Sequence, residues 1–239
     1  ALVVDAREAV GGVLRLLLPE MFTVDVVANG DITTRGKLEG DARLVSQTGS
    51  IAAHKLRGAE LHLQCPGSVT IGSVLEGTNV VVKAGSVQGK RILAHSVDVE
   101  VEKSVDVSAV YAKATAVRAG GDVTLNTSKG SVDVDCTAGD ITVNGINGSA
   151  VLTATLGSIQ AHFDDCPAST SSLAASGDVN VSLASPVDVD LDVQGGRVSV
   201  STTDTGRFEE AAPVEEGRAV GRLVDLGDAA ADSPSSGKI

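Results

Sequence analysis

The sequence predicts an all-β fold, a β-solenoid of the parallel β-helix or β-roll kind. It would have about ten single-coil rungs of about eighteen residues each, capped at the N-terminus. Three observations lead there. A short turn motif returns at near-constant spacing through most of the chain. The residues after each turn alternate apolar and polar, the period of a strand with one face buried. Aromatic residues are only 2% of the chain, while Val, Ile, Leu and Ala supply most of the 42% that is hydrophobic. A layered globular core fills space with large rings. A core of small aliphatic residues suits a thin structure whose few interior positions repeat.

The motif is Gly, then Asp or Ser, then Ile or Val. It begins at Gly30, Gly49, Gly67 and Gly85, keeps only its last two positions at Ser104-Val105, and returns at Gly121, Gly139, Gly157 and Gly177. Gly196-Arg197-Val198 is a degraded last copy. Successive steps are 19, 18, 18, 18, 18, 18, 18, 20 and 19 residues. A fixed period places equivalent side chains above one another, which hairpin folds do not require. Ile32, Ile51, Val69, Val87, Val105, Val123, Ile141, Ile159, Val179 and Val198 then form one interior ladder, roughly 43 Å long at the spacing of parallel strands. Between Gly121 and Gly157 the period halves, with Gly130 and Gly148 midway, so a rung there holds two similar half-turns. Glycine is expected to supply positive φ at these turns, most strongly in Asn29-Gly30, Asn144-Gly145 and Asn147-Gly148.

Residues 1–29 precede the first motif. Leu14–Leu18 and Phe22–Val26 read as two strands joined at Pro19, forming a cap that shields the first open strand edge. Residues 30–206 are the solenoid. Residues 207–239, rich in Ala, Glu, Asp and Gly and without the period, read as an acidic cap around Val220–Leu226 followed by a disordered tail.

The net charge of −12 argues against nucleic acid, whose affinity comes from cations neutralising phosphates, and against an anionic membrane surface. No apolar run approaches the ~20 residues of a spanning helix. The chain begins at Ala1, so a signal or transit peptide would lie upstream. Cys65, Cys136 and Cys166 are odd in number and lack zinc spacing. Cys65 and Cys136 fall four rungs apart, about 19 Å along the axis, and a disulfide needs Cα atoms within about 7 Å. Three free thiols are expected, acting as small apolar fillers.

The run Val107–Ala112, then Gly121-Asp-Val-Thr-Leu, Gly130-Ser-Val, Gly139-Asp-Ile-Thr-Val, Gly157-Ser-Ile and Gly177-Asp-Val-Asn-Val, resembles the bacterial adhesin-type domain family of uncharacterised β-solenoids. It is similar above all to that family's uncharacterised eukaryotic relatives, some of them associated with mitochondria. The resemblance runs from about Leu14 to Ser201. It implies the repeat fold and brings no catalytic residue with it.

Four candidate chemistries can be weighed against this frame. Asp31, Asp122, Asp140 and Asp178 occupy the turn slot. A calcium β-roll would use such carboxylates, but its GxGxD core is missing, and an Asp or Ser hydrogen-bonding its own turn backbone is the simpler reading. Asp98, Glu100 and Glu102, Asp133 and Asp135, and Asp188, Asp190 and Asp192 alternate on outer strand faces. They could serve a polysaccharide-cleaving site or simply keep the strand face in water. His54, His62, His95 and His162 read as surface residues, and no Ser/His/Asp motif or phosphate-cradling glycine loop is visible. Lastly, the repeat step lengthens to twenty at Phe163, Asp164 and Asp165, followed by Cys166-Pro167. Such insertions in solenoids are tolerated loop variation or a partner-contact loop.

No catalytic residue, cofactor or metal is therefore assigned. The expected function is a non-catalytic scaffold or protein-interaction module, in mitochondria, with a protein partner and without nucleic acid or membrane insertion. The alternative is a secreted or cell-surface, envelope adhesin-like binding protein, for which Asn126-Thr-Ser, Asn147-Gly-Ser and Asn180-Val-Ser offer formal glycosylation sites. A polysaccharide-acting β-helix enzyme comes third.

Overall fold

The computed structural model describes residues 2–6, 19–165, 169–184, 189–202, 207–210 and 218–224. Every regular element among them is a strand. The first four are β1 (Leu2–Ala6), β2 (Val24–Ala28), β3 (Ile32–Glu39) and β4 (Ala42–Ser46). Four long strands follow: β5 (Ile51–Gln64), β6 (Ser68–Ala84), β7 (Ser86–Val101) and β8 (Val105–Ala119). Shorter ones are β9 (Val123–Leu125), β10 (Ser128–Cys136), β11 (Ile141–Asn147), β12 (Ala150–Ala154), β13 (Ile159–Asp165) and β14 (Ser169–Ala175). The chain continues with β15 (Asp178–Leu183), β16 (Val189–Gln194), β17 (Arg197–Thr202), β18 (Arg207–Glu210) and β19 (Arg218–Val224). The architecture is a parallel β-solenoid of about ten turns with rungs of about eighteen residues.

Each rung has three segments. In β5 to β8 a single continuous strand wraps through all three, and elsewhere the corners divide it. In the first segment, parallel register pairs Ile32 with Ile51, Ile51 with Val69, Val69 with Val87 and Val87 with Val105. It continues through Val123, Ile141, Ile159 and Val179 to Val198. The middle segment contributes one inward residue per rung: Leu38, Leu56, Leu75, Ile92, Val110, Ser128, Ile146, Phe163 and Leu183 in turn. The third segment stacks Leu44, Leu63, Val82, Val99, Val117, Val134, Leu152, Leu173 and Val193. In the second full rung Ile51, Leu56, Leu61 and Leu63 are all at most 1% exposed. Burying one such side chain contributes about 1.5–3 kcal/mol, so the stacked core offsets the entropy of ordering each coil.

The corners are where the sequence reading needs correction. Positive φ occurs at Gly145 and Gly148, as expected, and at Gly40 and Gly130, but not at Gly30 or the other motif glycines that open each rung. What the motif positions from Gly49 to Gly177 require is space. A Cβ at Gly157 would lie 2.0 Å from the carbonyl oxygen of Gly139 in the rung below. The side chain after the glycine also acts differently from the expectation. It does not bond its own turn but accepts a backbone N–H from the next rung. Asp31 Oδ1 accepts from Ser50 N at 2.7 Å and Ser50 Oγ from Ser68 N at 3.1 Å. Asp122 Oδ1 accepts from Asp140 N at 3.0 Å, Asp140 Oδ1 from Ser158 N at 2.8 Å, and Ser158 Oγ from Asp178 N at 3.2 Å. The backbone turns away from the sheet here, and these side chains pair amides that would otherwise lack a partner.

A second corner column lies between the middle and third segments: Gly58 pairs with Gly77, Gly77 with Ala94, and Ala94 with Ala112. Gly130 continues it with φ at 103° and its carbonyl close under Gly148.

At the N-terminal end β1 pairs in parallel with β2, adding a strand that the sequence reading did not anticipate. The strand expected at Leu14–Leu18 lies outside the described residues. At the other end β19 lies antiparallel on β16, and β18 antiparallel on β19. This reversal ends the parallel stack.

Four inward hydroxyls interrupt the apolar ladders, and two of them, Ser46 and Ser171, are hydrogen-bonded to backbone. Thr115 is 3% exposed and Ser128 1%, and neither hydroxyl has a hydrogen-bond partner. An unpaired buried hydroxyl costs about 1–3 kcal/mol. Thr115→Val, between Val97 and Val132 in its ladder, should raise stability by about 1 kcal/mol in urea unfolding. Gly157→Ala should lower it by about 1–3 kcal/mol, because the obstructing atom is backbone and cannot swing aside.

Candidate functional site

The lengthened rung is the natural place to look for chemistry. β13 carries it: Ile159, Ala161 and Phe163 point inward, and His162 and Asp164 point outward. Phe163, expected at a partner-contact loop, is 0% exposed. It fills the middle-segment ladder between Ile146 and Leu183, so its side chain belongs to the core and not to a surface loop. Asp164 is exposed. Asp165 pairs through its backbone with Asn147, and Cys166 and Pro167 lie outside the described residues.

The register also assembles a group that no sequence motif announced. The twenty-residue step sets Ser182 directly above His162. Ser182 Oγ lies 2.6 Å from His162 Nδ1, and His162 Nε2 lies 3.1 Å from Asp164 Oδ1. The order hydroxyl, imidazole, carboxylate is that of a nucleophilic triad. Its surroundings are not those of one. The His162 and Asp164 side chains are 31% and 54% exposed, so water is not excluded. The neighbouring backbone belongs to the parallel ladder from Ala161–Phe163 to Val181–Leu183, continued by Ala184 N donating to Phe163 O at 2.8 Å. Those amides are therefore committed and cannot form an oxyanion hole. The group works as a clip between rungs, as does Asn144 Nδ2 donating to Asn126 Oδ1 at 3.3 Å in the same outward column two rungs below.

The outward carboxylates of the third segment fall into columns. Asp98, Ala116 and Asp133 are consecutive in one, and Glu100, Arg118 and Asp135 in the next. The small Ala114 and Ala116 leave an open depression of about 450 Å³, rimmed by Ser96, Asp98, Arg118, Ser131 and Asp133. Asp98 and Asp133 are two rungs apart, about 9.6 Å, at the outer limit for a water-admitting pair of carboxylates. Arg118 Nη1 approaches Asp98 Oδ1 at 3.4 Å. Lys83 Nζ donates to Glu100 Oε2 at 2.6 Å. That hydrogen bond holds the Glu100 carboxyl below its ordinary range and Lys83 above its own. Asp98 and Glu100 are thus tied to cations of adjacent rungs. Asp188 lies outside the described residues.

Among the described residues no three His, Cys, Asp or Glu side chains come together as a metal-binding group. Cys65 and Cys136 are buried and free. Burial pushes both thiols above their ordinary range, and Cys136 Sγ donates to Gly121 O at 3.1 Å. Low thiolate content and burial together make both poor nucleophiles.

Stacked coils with aliphatic ladders, tight glycine corners and rung-to-rung polar clips define a β-solenoid repeat protein. The chain belongs to the toastrack family, DUF4097, whose model matches residues 22–219. This is the adhesin-like solenoid family that the turn motifs resemble. No curated protein and no solved structure matches it.

Phe163→Ala should lose about 3–5 kcal/mol of unfolding free energy, the cost of emptying a filled core position. Retained stability, measured by thermal and urea unfolding, would return Phe163 to the surface.

Proposed function

We propose that the protein is a non-catalytic scaffold that binds a protein partner along its sheet faces. One observation supports this above the others. The polar groups that could do chemistry are engaged between rungs: the turn carboxylates cap amides, and His162 bridges Ser182 and Asp164. What the solenoid offers outward is a set of regular columns, and repeat proteins use such extended surfaces for recognition. We further place it in mitochondria. The resemblance to mitochondria-associated relatives supports this, and so do the two buried cysteines, which form no disulfide and suit a reducing compartment.

A second reading, a cell-surface adhesin-like protein, draws on exposed sequons at Asn126 and Asn180 in strand-rich surface. The two readings differ in what the native protein carries. Tagged protein, purified gently from its own cells, should run on native sizing as an assembly with a stoichiometric protein partner and should be unchanged in mass by a glycosidase. Elution alone, without a partner, would overturn the scaffold reading. Glycan on Asn126 or Asn180 would place the protein in the secretory pathway instead.

A further inference from the structure

The net charge of −12 hides a sorting of charge around the solenoid. The middle segments of the first six motif-bearing rungs cover residues 35–39, 54–58, 72–77, 89–94, 108–113 and 126–130. Their only acids are Glu39 and Glu76. Against these stand Lys37 and Arg57, which pair with them, and Arg35, Lys55, Lys90, Arg91, Lys113 and Lys129, none of which makes an ion pair among the described residues. Elsewhere the pattern reverses. Arg43, Lys83, Arg118 and Arg197 are each bound to a carboxylate of an adjacent rung. Lys103, at a corner, is the one other unpaired Lys or Arg among the described side chains.

Register stacks Lys37, which is paired with Glu39, directly on Lys55, which is not, and like charges facing each other across strands are unfavourable. Arg91 follows Lys55 two rungs on, across Val74. Beside this column runs a second, Glu76, Leu93, Tyr111 and Lys129. Tyr111 is 36% exposed and is among the few large hydrophobic side chains at the surface.

We infer that this middle face is a docking strip for an extended acidic polypeptide segment of a partner. The inference rests on the scaffold reading and gives that partner a chemistry. Charge complementarity selects an anion. Two rungs span about 9.6 Å, close to the roughly 9.3 Å between side chains three apart on one face of an extended polyproline II segment, so acidic side chains three apart can meet Lys55 and Arg91. Leu93 and Tyr111 then receive an apolar side chain between the charges. A single-stranded nucleic acid fits less well, because it needs a row of aromatic platforms and the strip has one. Glu39 and Glu76 also interrupt the positive track that a polyphosphate would follow.

The test uses the full chain and a fluorescent peptide of about twelve residues with Glu at every third position, followed by anisotropy at about 50 mM salt. Binding should be saturable and should weaken several-fold at about 200 mM salt as screening grows. The double variant Arg91→Glu, Lys129→Glu should weaken it by at least about tenfold. Lys103→Glu, which reverses an unpaired cation off the strip, should leave it within about twofold, and thermal unfolding should show both variants folded. Absence of peptide binding, or an equal loss in Lys103→Glu, would overturn the inference. So would tighter binding of an oligothymidylate or of phosphatidylserine vesicles, or self-association abolished by the double variant, which would make a second copy the occupant. If the native assembly forms unchanged with the double variant, the strip is refuted while the scaffold reading stands. If no assembly forms with the wild-type chain, the scaffold reading itself fails.

Discussion

Parallel coils stacked at the spacing of hydrogen-bonded strands bring backbone onto backbone at every corner, and the rest of this structure depends on that close approach. At Gly157 there is no space for even one carbon. The corner therefore takes glycine, and the absent side chain leaves the Asp or Ser of the rung below free to reach the next amide. The same spacing sets the core. An interior only a few side chains wide accepts Val, Ile and Leu in each rung and a ring at very few positions, of which Phe163 is one.

This constraint also governs the polar chemistry. Side chains that point outward at one level sit a single strand spacing from their equivalents above and below. They interact by register as much as by motif. Asn144 finds Asn126, Lys83 finds Glu100, and His162 finds Ser182. Groups paired in this way are spent on holding rungs together. The informative positions are those where the pairing is refused, and these gather on the middle segments, where Lys55, Arg91 and Lys129 make no ion pair among the described residues. A scaffold can leave charge unpaired only where exposure keeps the penalty small, and a flat solvated face meets that condition.

The repeat was legible because its cause is periodic: a corner that excludes Cβ must return once per coil. The second corner was legible only in part. Gly58, Gly130 and Gly148 fall midway between motif glycines, but Gly77 does not keep that half-period, because a bulge in β6 shifts its place in the rung. Phe163 was misplaced for a related reason. A lengthened step suggests a loop, yet the added residues follow Phe163, which keeps its inward phase after Ile159 and Ala161. The turn glycines were expected to supply positive φ, and most supply clearance instead. Composition cannot separate those two needs.

The sequence by itself determined the coil length, the alternation and therefore which side chains face inward along each strand. These follow from local geometry, a period of two within strands and of about eighteen between them. The tertiary structure alone decided which side chains meet across rungs, because contacts between coils depend on the bulges and on the single twenty-residue step that shift register. A net charge of −12 is a property of the chain. That all but one of the unpaired cations among its described residues share one face is a property of the stack, since winding brings together residues eighteen apart that the linear sequence keeps separate.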